Sequence, residues 1–233
     1  MGKLAIANWM TNKEYLESLF VIGEIATSHT VLDVGSGPGV IPQYLASHGV
    51  KKVVGIDVDP TVKEGYRGSM LLLEDVRSMR FKSNVFDRII ARMVFHQITD
   101  GLETAVRECF RVLKPGGLCT ISEGVPPSID SEDWYSTMFV IKEKRNTFSR
   151  SKIEKLLKDV GFSIHNTQLR IIPHSIRNWI ETSQMTPKQK AQMWEMQMQM
   201  PRSVWEDYNT QVTPDGDIIK DFHFCTVVGL KIA

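Results

Sequence analysis

The chain has 233 residues, of which 42% are hydrophobic and 24% charged, as in an ordinary soluble globular protein. Its 28 basic and 27 acidic side chains give a net charge of +1, which argues against a dedicated nucleic-acid-binding protein. No run approaches 18 apolar residues, and the chain lacks a basic-then-apolar signal pattern at its start. We therefore expect no membrane span and a cytoplasmic enzyme or binding protein.

The first half of the chain predicts one lead-in helix followed by alternating strands and helices. Apolar side chains recur at helical spacing within residues 1–28. Strands are predicted at residues 29–34, 52–57, 70–74, 86–93 and 118–123, and helices at residues 39–48 and 101–113. This alternation predicts an α/β fold with a doubly wound, mostly parallel sheet.

The second half, residues 124–233, predicts completion of the same sheet with helical insertions. Residues 162–172 and 221–233 read as two further strands, which gives seven strands in one domain. Residues 124–149 are polar and aromatic and are predicted to form a substrate-binding or lid insertion, in which the charged run Lys142–Arg145 predicts a solvated helix face. Residues 175–207 are helical and hold five of the eleven methionines. They predict a lid or substrate wall, with a plain helical core as the alternative.

Residues 31–39 join an apolar strand to a glycine-rich turn. Doubly wound folds bind nucleotides at such a turn. Gly35, Gly37 and Gly39 form G-x-G-x-G, whereas the dinucleotide fingerprint requires a glycine at the position of Val40. The carboxylate of Asp33 would repel a pyrophosphate, and it suits a cationic or amine-bearing ligand better.

Further charged residues follow the next strands and would face the same crevice. Asp57 ends the second strand, where a carboxylate can accept both hydroxyls of a ribose. Asp75 follows the third strand and can accept a hydrogen bond from an adenine amino group, with Val76 against the ring; a simple loop carboxylate is the alternative. Arg92 ends the fourth strand. Together they predict a nucleoside site without phosphates.

Five segments resemble the ordered motifs of class I S-adenosylmethionine-dependent methyltransferases: Val31–Gly39, Val53–Asp57, Glu74–Val76, Phe86–Met93 and Leu113–Gly117. The pattern is similar to the ubiquinone/menaquinone-biosynthesis branch (methyltransferase type 11), although Arg80 stands where that branch often has proline. The resemblance covers about residues 29–123. It implies S-adenosylmethionine as cofactor, S-adenosylhomocysteine as product and an antiparallel last strand. The residues assigned to the cofactor are Asp33, Gly35, Ser36, Gly37, Gly39, Asp57, Val58, Asp75, Val76 and Arg92.

Three residues are candidates for a catalytic base. His96, just after the fourth strand, comes first because histidine is the usual side chain for proton transfer near neutral pH; Glu123, which ends the fifth strand, is second, and Tyr135 is third. His96 and Glu123 each have a structural alternative, since His96 can simply shape the crevice and Glu123 can simply end a strand. The histidines and the three separated cysteines show no metal-ligand spacing, so we expect no metal and small core cysteines in a reducing compartment.

The favoured function is methyl transfer to oxygen, nitrogen or carbon of a small, partly apolar molecule. An RNA or protein methyltransferase and a non-catalytic cofactor-binding module are the alternatives. A nicotinamide oxidoreductase is disfavoured by Val40 and Asp33. The sequence leaves the oligomeric state open between monomer and homodimer.

Overall fold

A computed structural model describes residues 9–63, 66 and 70–232, so the lead-in segment before residue 9 lies outside the described residues. The strands are β1 Thr30–Val34, β2 Lys52–Asp57, β3 Leu71–Leu73, β4 Phe86–Arg92, β5 Leu113–Val125, β6 Ser163–Ser175, β7 Gln211–Val212 and β8 Ile218–Leu230. The α-helices are α1 Lys13–Ile22, α2 Val40–Ser47, α3 Leu102–Val112, α4 Glu132–Lys142, α5 Arg150–Val160, α6 Ile176–Thr182, α7 Pro187–Met198 and α8 Arg202–Asp207. Short 3₁₀ turns occur at Trp9–Thr11, Pro60–Lys63 and Phe95–Gln97.

Seven strands form one sheet in the order β3-β2-β1-β4-β5-β8-β6, and β7 adds a short eighth strand beside β8. The first five strands pair in parallel, whereas β8 is antiparallel to both β5 and β6. The predicted doubly wound fold is therefore confirmed, and so is its antiparallel strand. The two-residue β7 is too short to show a strand periodicity in sequence.

Neighbouring residues of β1 face opposite layers of the fold. Val31 packs with apolar side chains of α1 and α2, whereas Leu32 packs with those of α3 and α5. This alternation is the period-two pattern of a strand that is buried on both faces. The cysteines Cys109, Cys119 and Cys225 are buried and free, which confirms that they are small core residues.

Strand β5 begins five residues earlier than predicted. Leu113 pairs with Phe86 and Leu118 with Arg88, so residues 114–117 bulge out between two paired positions. A local sequence pattern shows the turn residues but not the pairing that resumes on either side of them.

Helix α4 lies within the insertion predicted at residues 124–149, but its bounds were not predicted and the expected solvated helix face at Lys142–Arg145 is wrong. The helix ends at Lys142, and Glu143 has an extended backbone. The Arg145 side chain is only 4% exposed, and its guanidinium lies 3.9 Å from the centre of the Phe139 ring. Packing of a cation on an aromatic ring depends on tertiary contacts, which charge patterning does not reveal.

Helices α6, α7 and α8 confirm the helical prediction for residues 175–207. Met185 and Met193 are buried with α4 side chains, and Met200 is buried in a smaller cluster near α8. Among the described helices, none is long and apolar enough to cross a membrane.

Candidate functional site

A cavity of about 650 Å³ opens at the carboxyl ends of the parallel strands. Its wall includes the turn after β1, the ends of β2 and β4, part of α4 and Trp179 of α6. Open α/β sheets bind ligands at this edge, and cavities of roughly 300–1,000 Å³ accommodate small molecules. One end of the cavity is bounded by the glycine turn and the other by aromatic side chains.

Two glycines of the turn have left-handed backbone angles and different surroundings. Gly35 has φ of +66°, and a Cβ there would lie 2.3 Å from a Val94 methyl carbon. Gly37 has φ of +48°, and a Cβ there would meet nothing within 4 Å among the described residues. Gly35 therefore permits close packing against the end of β4, whereas the Gly37 backbone faces open space and is accessible to a ligand.

Asp57 connects the end of β2 to this turn. Its Oδ2 accepts the Gly37 N–H at 2.9 Å, and its Oδ1 accepts the Asp59 N–H at 3.0 Å. Asp57 also lines the cavity. The residue predicted to hold a ribose is thus at the cavity wall, and it also fixes the position of the turn.

Asp33 lies behind the wall. It is buried, and Ser36 Oγ donates a 2.6 Å hydrogen bond to its Oδ2. Burial raises the pKa of Asp33 to about 7, although the Ser36 hydrogen bond and the positive charge of Arg92 oppose the shift. Ser36 and Arg92 line the cavity, and Arg92 Nη1 also donates to the Met10 carbonyl at 2.8 Å. Asp33 is therefore placed to act on a ligand through its neighbours.

Gly39 also lies outside the cavity wall. It has φ of +80° and is the residue that precedes the first turn of α2. Its N–H donates to the Ser36 carbonyl at 3.0 Å. The third glycine of the motif therefore sets the start of the helix, and we expect it to affect a ligand only through the shape of the turn.

Val58 and Val76 provide apolar surface at the same end of the cavity. Both line it, and Val58 is 66% exposed, which is unusual for a side chain of this type beside a buried strand. Asp75 lines the cavity too, but Arg77 Nε contacts both of its carboxylate oxygens at 3.0 Å. This ion pair favours the alternative interpretation of Asp75 as a carboxylate that orders its loop.

His96 and Glu123 form a buried pair. His96 Nδ1 lies 2.8 Å from Glu123 Oε2, while Glu123 Oε1 accepts the backbone N–H groups of Val94 at 3.0 Å and His96 at 3.2 Å. His96 lines the cavity, whereas Glu123 has no exposed surface and does not. An ionised Glu123 accepts the Nδ1 proton, which leaves Nε2 of His96 as the basic nitrogen. Glu123 is thus positioned to orient His96.

The backbone around this pair is constrained. Met93, between β4 and Val94, has φ of +55°, a conformation that few side-chain-bearing residues adopt. Its sulfur accepts the Gly124 N–H at 3.2 Å. Asn146 binds the His96 carbonyl through its backbone N–H at 2.8 Å. Nothing in the sequence predicted these contacts, since they join residues far apart in the chain.

The other end of the cavity is aromatic and cationic. The side chains here are Tyr135, Phe139, Lys142, Arg145, Trp179 and Tyr208. They come from α4, the segment after it, α6 and the residue after α8. Sequence reasoning named Tyr135 as the third candidate base and placed Trp179 in the predicted lid segment, but it gave Phe139, Lys142, Arg145 and Tyr208 no role of their own in the site. None of the five methionines between residues 185 and 200 lines the cavity: Met185, Met193 and Met200 are buried in apolar clusters, and Met198 is 63% exposed. The expected methionine wall is therefore wrong, although Trp179 of the same predicted segment does line the cavity. Among the described residues, no cluster of His, Cys, Asp or Glu is placed to hold a metal ion.

Comparison with known proteins identifies the first half of this chain. Residues 32–121 match the family model of a methyltransferase domain. Residues 32–121 are therefore a methyltransferase domain of the type 11 branch. S-adenosylmethionine is the methyl donor that this domain implies, and the resemblance found in the sequence motifs is confirmed.

The methyltransferase domain has relatives of known name and neighbours of known structure. The ribosomal protein L11 methyltransferase of Staphylococcus aureus is 29% identical over 154 residues, which are 62% of this chain and 41% of that protein. The chain thus spans less than half the length of the curated relatives it matches. A Bacillus halodurans protein named as a candidate methyltransferase superposes with a TM-score of 0.83 at 20% identity, covering 94% of this chain and 100% of the other. The YcgJ protein of Bacillus subtilis gives a TM-score of 0.80 at 19% identity, covering 94% and 98%.

The cavity of the methyltransferase domain fits the implied donor. The Gly37 backbone faces open space, Asp57 offers a carboxylate at the end of β2, and Val58 leaves an apolar surface uncovered. These are partners for an amino-acid tail, a pair of ribose hydroxyls and an adenine ring, and no phosphate-binding lysine accompanies the turn.

Proposed function

We propose that this chain transfers a methyl group from S-adenosylmethionine to oxygen, nitrogen or carbon of a small, partly apolar molecule. The observation that carries the proposal is the continuity of the cavity. Its lining includes the glycine turn and Asp57 as well as Tyr135, Phe139 and Trp179. A donor and an aromatic or aliphatic acceptor can therefore share a single cavity.

In this proposal the glycine turn, with Ser36 and Arg92, holds the amino-acid part of the donor. Asp57 binds the ribose hydroxyls, and Val58 and Val76 cover the adenine ring. Asp33 accepts the Ser36 hydroxyl from behind the wall. Because burial raises the pKa of Asp33, donor binding through Ser36 depends on whether the Asp33 carboxyl is ionised. Asp75 orders the adenine loop through Arg77.

Bound there, the donor would supply an electrophilic sulfonium methyl group: an electron pair of the acceptor forms a bond to the methyl carbon as the carbon–sulfur bond breaks in line, and the neutral sulfide leaves. Because that leaving group is already good, the residues of this chain contribute chiefly by positioning and by excluding water. Where the acceptor carries a proton, His96 Nε2 accepts it, and the Glu123 carboxylate stabilises the resulting imidazolium through Nδ1.

Residues 124–149 and the helices of residues 175–207 supply the acceptor wall in this proposal. Tyr135 and Phe139 from α4 and Trp179 from α6 enclose the space beyond the donor. Aromatic side chains of this kind provide large apolar contact areas, which favours an acceptor with a flat or aliphatic body. Residues 29–123 are the donor-binding part of the same domain.

The test is incubation of the protein with methyl-labelled S-adenosylmethionine and one of three acceptor pools: a small-metabolite extract, total RNA, or protein. Mass spectrometry then locates the label. We expect it in a metabolite, and expect the Asp57→Ala variant to transfer none. Label confined to protein would instead support an activity like that of the ribosomal protein methyltransferase relative, and label in no pool would overturn the proposal.

A further inference from the structure

Two cations line the aromatic end of the cavity. Arg145 lies against the Phe139 ring, and its side chain is 4% exposed. Lys142 Nζ lies 5.9 Å from the centre of the Phe139 ring and 5.8 Å from that of Trp179. Lys144, between them in sequence, is exposed and does not line the cavity. Two of the three basic residues in this run therefore line the cavity.

These two cations share a single carboxylate oxygen. Glu143 Oε1 lies 3.0 Å from Lys142 Nζ and 3.2 Å from Arg145 Nη1. The two positive charges hold the pKa of Glu143 below its usual range in spite of its partial burial, so it is ionised. Among the described residues, Glu143 is the one carboxylate in an ion pair with either of these two cations.

The Arg145 guanidinium is also short of hydrogen-bond acceptors. It has five N–H donors, and among the described residues its contacts are Glu143 at 3.2 Å and the Asn146 carbonyl at 3.4 Å. Buried charges are normally paired and hydrogen-bonded, because desolvation is costly. The largely buried Arg145 guanidinium therefore has N–H donors available to bind an anion in the cavity.

We infer that the methyl acceptor is an apolar or aromatic monocarboxylic acid, with its carboxylate on Arg145 and Lys142 and its body against Phe139 and Trp179. A planar carboxylate matches the fork of a guanidinium. This inference rests on the proposed function, which supplies the donor at the other end of the cavity.

The inference is tested by binding, without turnover. Calorimetric titrations of the protein saturated with S-adenosylhomocysteine use benzoate, cinnamate, 2-naphthoate and octanoate, each compared with its primary amide. We expect at least one acid to bind about tenfold or more tightly than its amide, since charge-assisted hydrogen bonds contribute about 1.5–3 kcal/mol. If every acid binds no better than its amide, the inference is wrong.

Three variants assign the effect to the cations. Arg145→Gln and Lys142→Gln should each weaken binding of the acid by about 10-fold to 100-fold and leave binding of the amide unchanged. Lys144→Gln removes the same charge from an exposed neighbour and should change neither. Arg145→Lys retains the charge and should recover part of the affinity. If Lys144→Gln weakened binding of the acid by the same factor, the effect would come from the overall charge of this surface and the assignment to Arg145 and Lys142 would be wrong.

Two further outcomes separate this inference from the proposed function. If Arg145→Gln weakens S-adenosylhomocysteine instead of the acid, the cations hold the donor and the inference fails. If acids are preferred but no methyl transfer is found in any pool, the proposed function fails while the acid site stands. Thermal unfolding of each variant verifies that it is folded, and Lys142 supplies an independent test if Arg145→Gln is not.

Discussion

Replacement of Asp57 by alanine removes the side chain on which the donor site depends most. Its carboxylate accepts backbone N–H groups from Gly37 at 2.9 Å and Asp59 at 3.0 Å, so it holds the glycine turn against the end of β2. The same carboxylate is proposed to bind the ribose. The substitution therefore acts on both the shape of the turn and the affinity for the donor.

The size of each effect follows from these contacts. A hydrogen bond to a charged group contributes about 1.5–3 kcal/mol, and partial exposure puts these two near the lower limit, for a total of about 3 kcal/mol. In a chain of this length such a loss lowers the melting temperature by roughly 6–12 °C. Loss of the ribose contacts should weaken S-adenosylhomocysteine by about 100-fold, equivalent to about 2.7 kcal/mol.

Calorimetric titration with S-adenosylhomocysteine and thermal unfolding measure the two effects separately. Asp57→Asn keeps an oxygen that can accept the Gly37 N–H, so its affinity should lie between those of the wild type and Asp57→Ala. Asp87→Ala is the matched control. Asp87 accepts the Thr30 N–H at 2.8 Å and pairs with Lys114 at 2.8 Å at the amino ends of the strands, away from the cavity.

Asp87→Ala should lower the melting temperature and leave the affinity for S-adenosylhomocysteine unchanged. The reasoning is refuted if Asp57→Ala binds this ligand as tightly as the wild type. It is also refuted if Asp87→Ala weakens binding as much, since the loss would then report general destabilisation.

Three further predictions concern other parts of the site. Glu123→Gln presents an amide N–H to His96 Nδ1, so the imidazole proton moves to Nε2 and the basic nitrogen is lost from the cavity side. We expect about 10²–10⁴-fold slower methyl transfer to an acceptor that must lose a proton, with the affinity for the donor unchanged. A rate reduced by only a few-fold would indicate that positioning of the reactants, and not a base, is the mechanism. Gly35→Ala places a methyl group 2.3 Å from a Val94 carbon, so S-adenosylhomocysteine titration should show little or no binding; wild-type affinity would disprove the tight packing. Folded Asp33 keeps its proton to about pH 7, whereas the unfolded residue loses it near pH 3.8. Between these values the folded state binds more protons, so its stability falls as the pH rises, by at most about 1.4 kcal/mol per pH unit. Denaturant unfolding of wild type and Asp33→Asn checks this, because the variant should lack that slope.

The sheet, and the position of the glycine turn and Asp57 at its carboxyl edge, were predictable because their signals are local. The apolar strand before Gly35 and the strand-end carboxylate Asp57 lie within short segments whose periodicity and composition determine their structure. Parallel strands then bring their carboxyl ends together. The resemblance to a methyltransferase family drew on these same segments, residues 29–123.

The acceptor half was not predictable in the same way. Glu123 meets His96 only because β4 and β5 pair with Arg92 opposite Ser122, a register that no single segment specifies. Arg145 enters the cavity because the chain leaves α4 in an extended conformation after Lys142. A run of charges gives the same pattern whether it faces solvent or an aromatic wall, so the sequence favoured the commoner case.

The most direct test of the central claim is a calorimetric titration of the wild-type protein with S-adenosylhomocysteine, and separately with nicotinamide adenine dinucleotide. The account predicts saturable binding of one S-adenosylhomocysteine per chain at the glycine turn and Asp57, and no binding of the dinucleotide. Absence of S-adenosylhomocysteine binding, or preference for the dinucleotide, would contradict it.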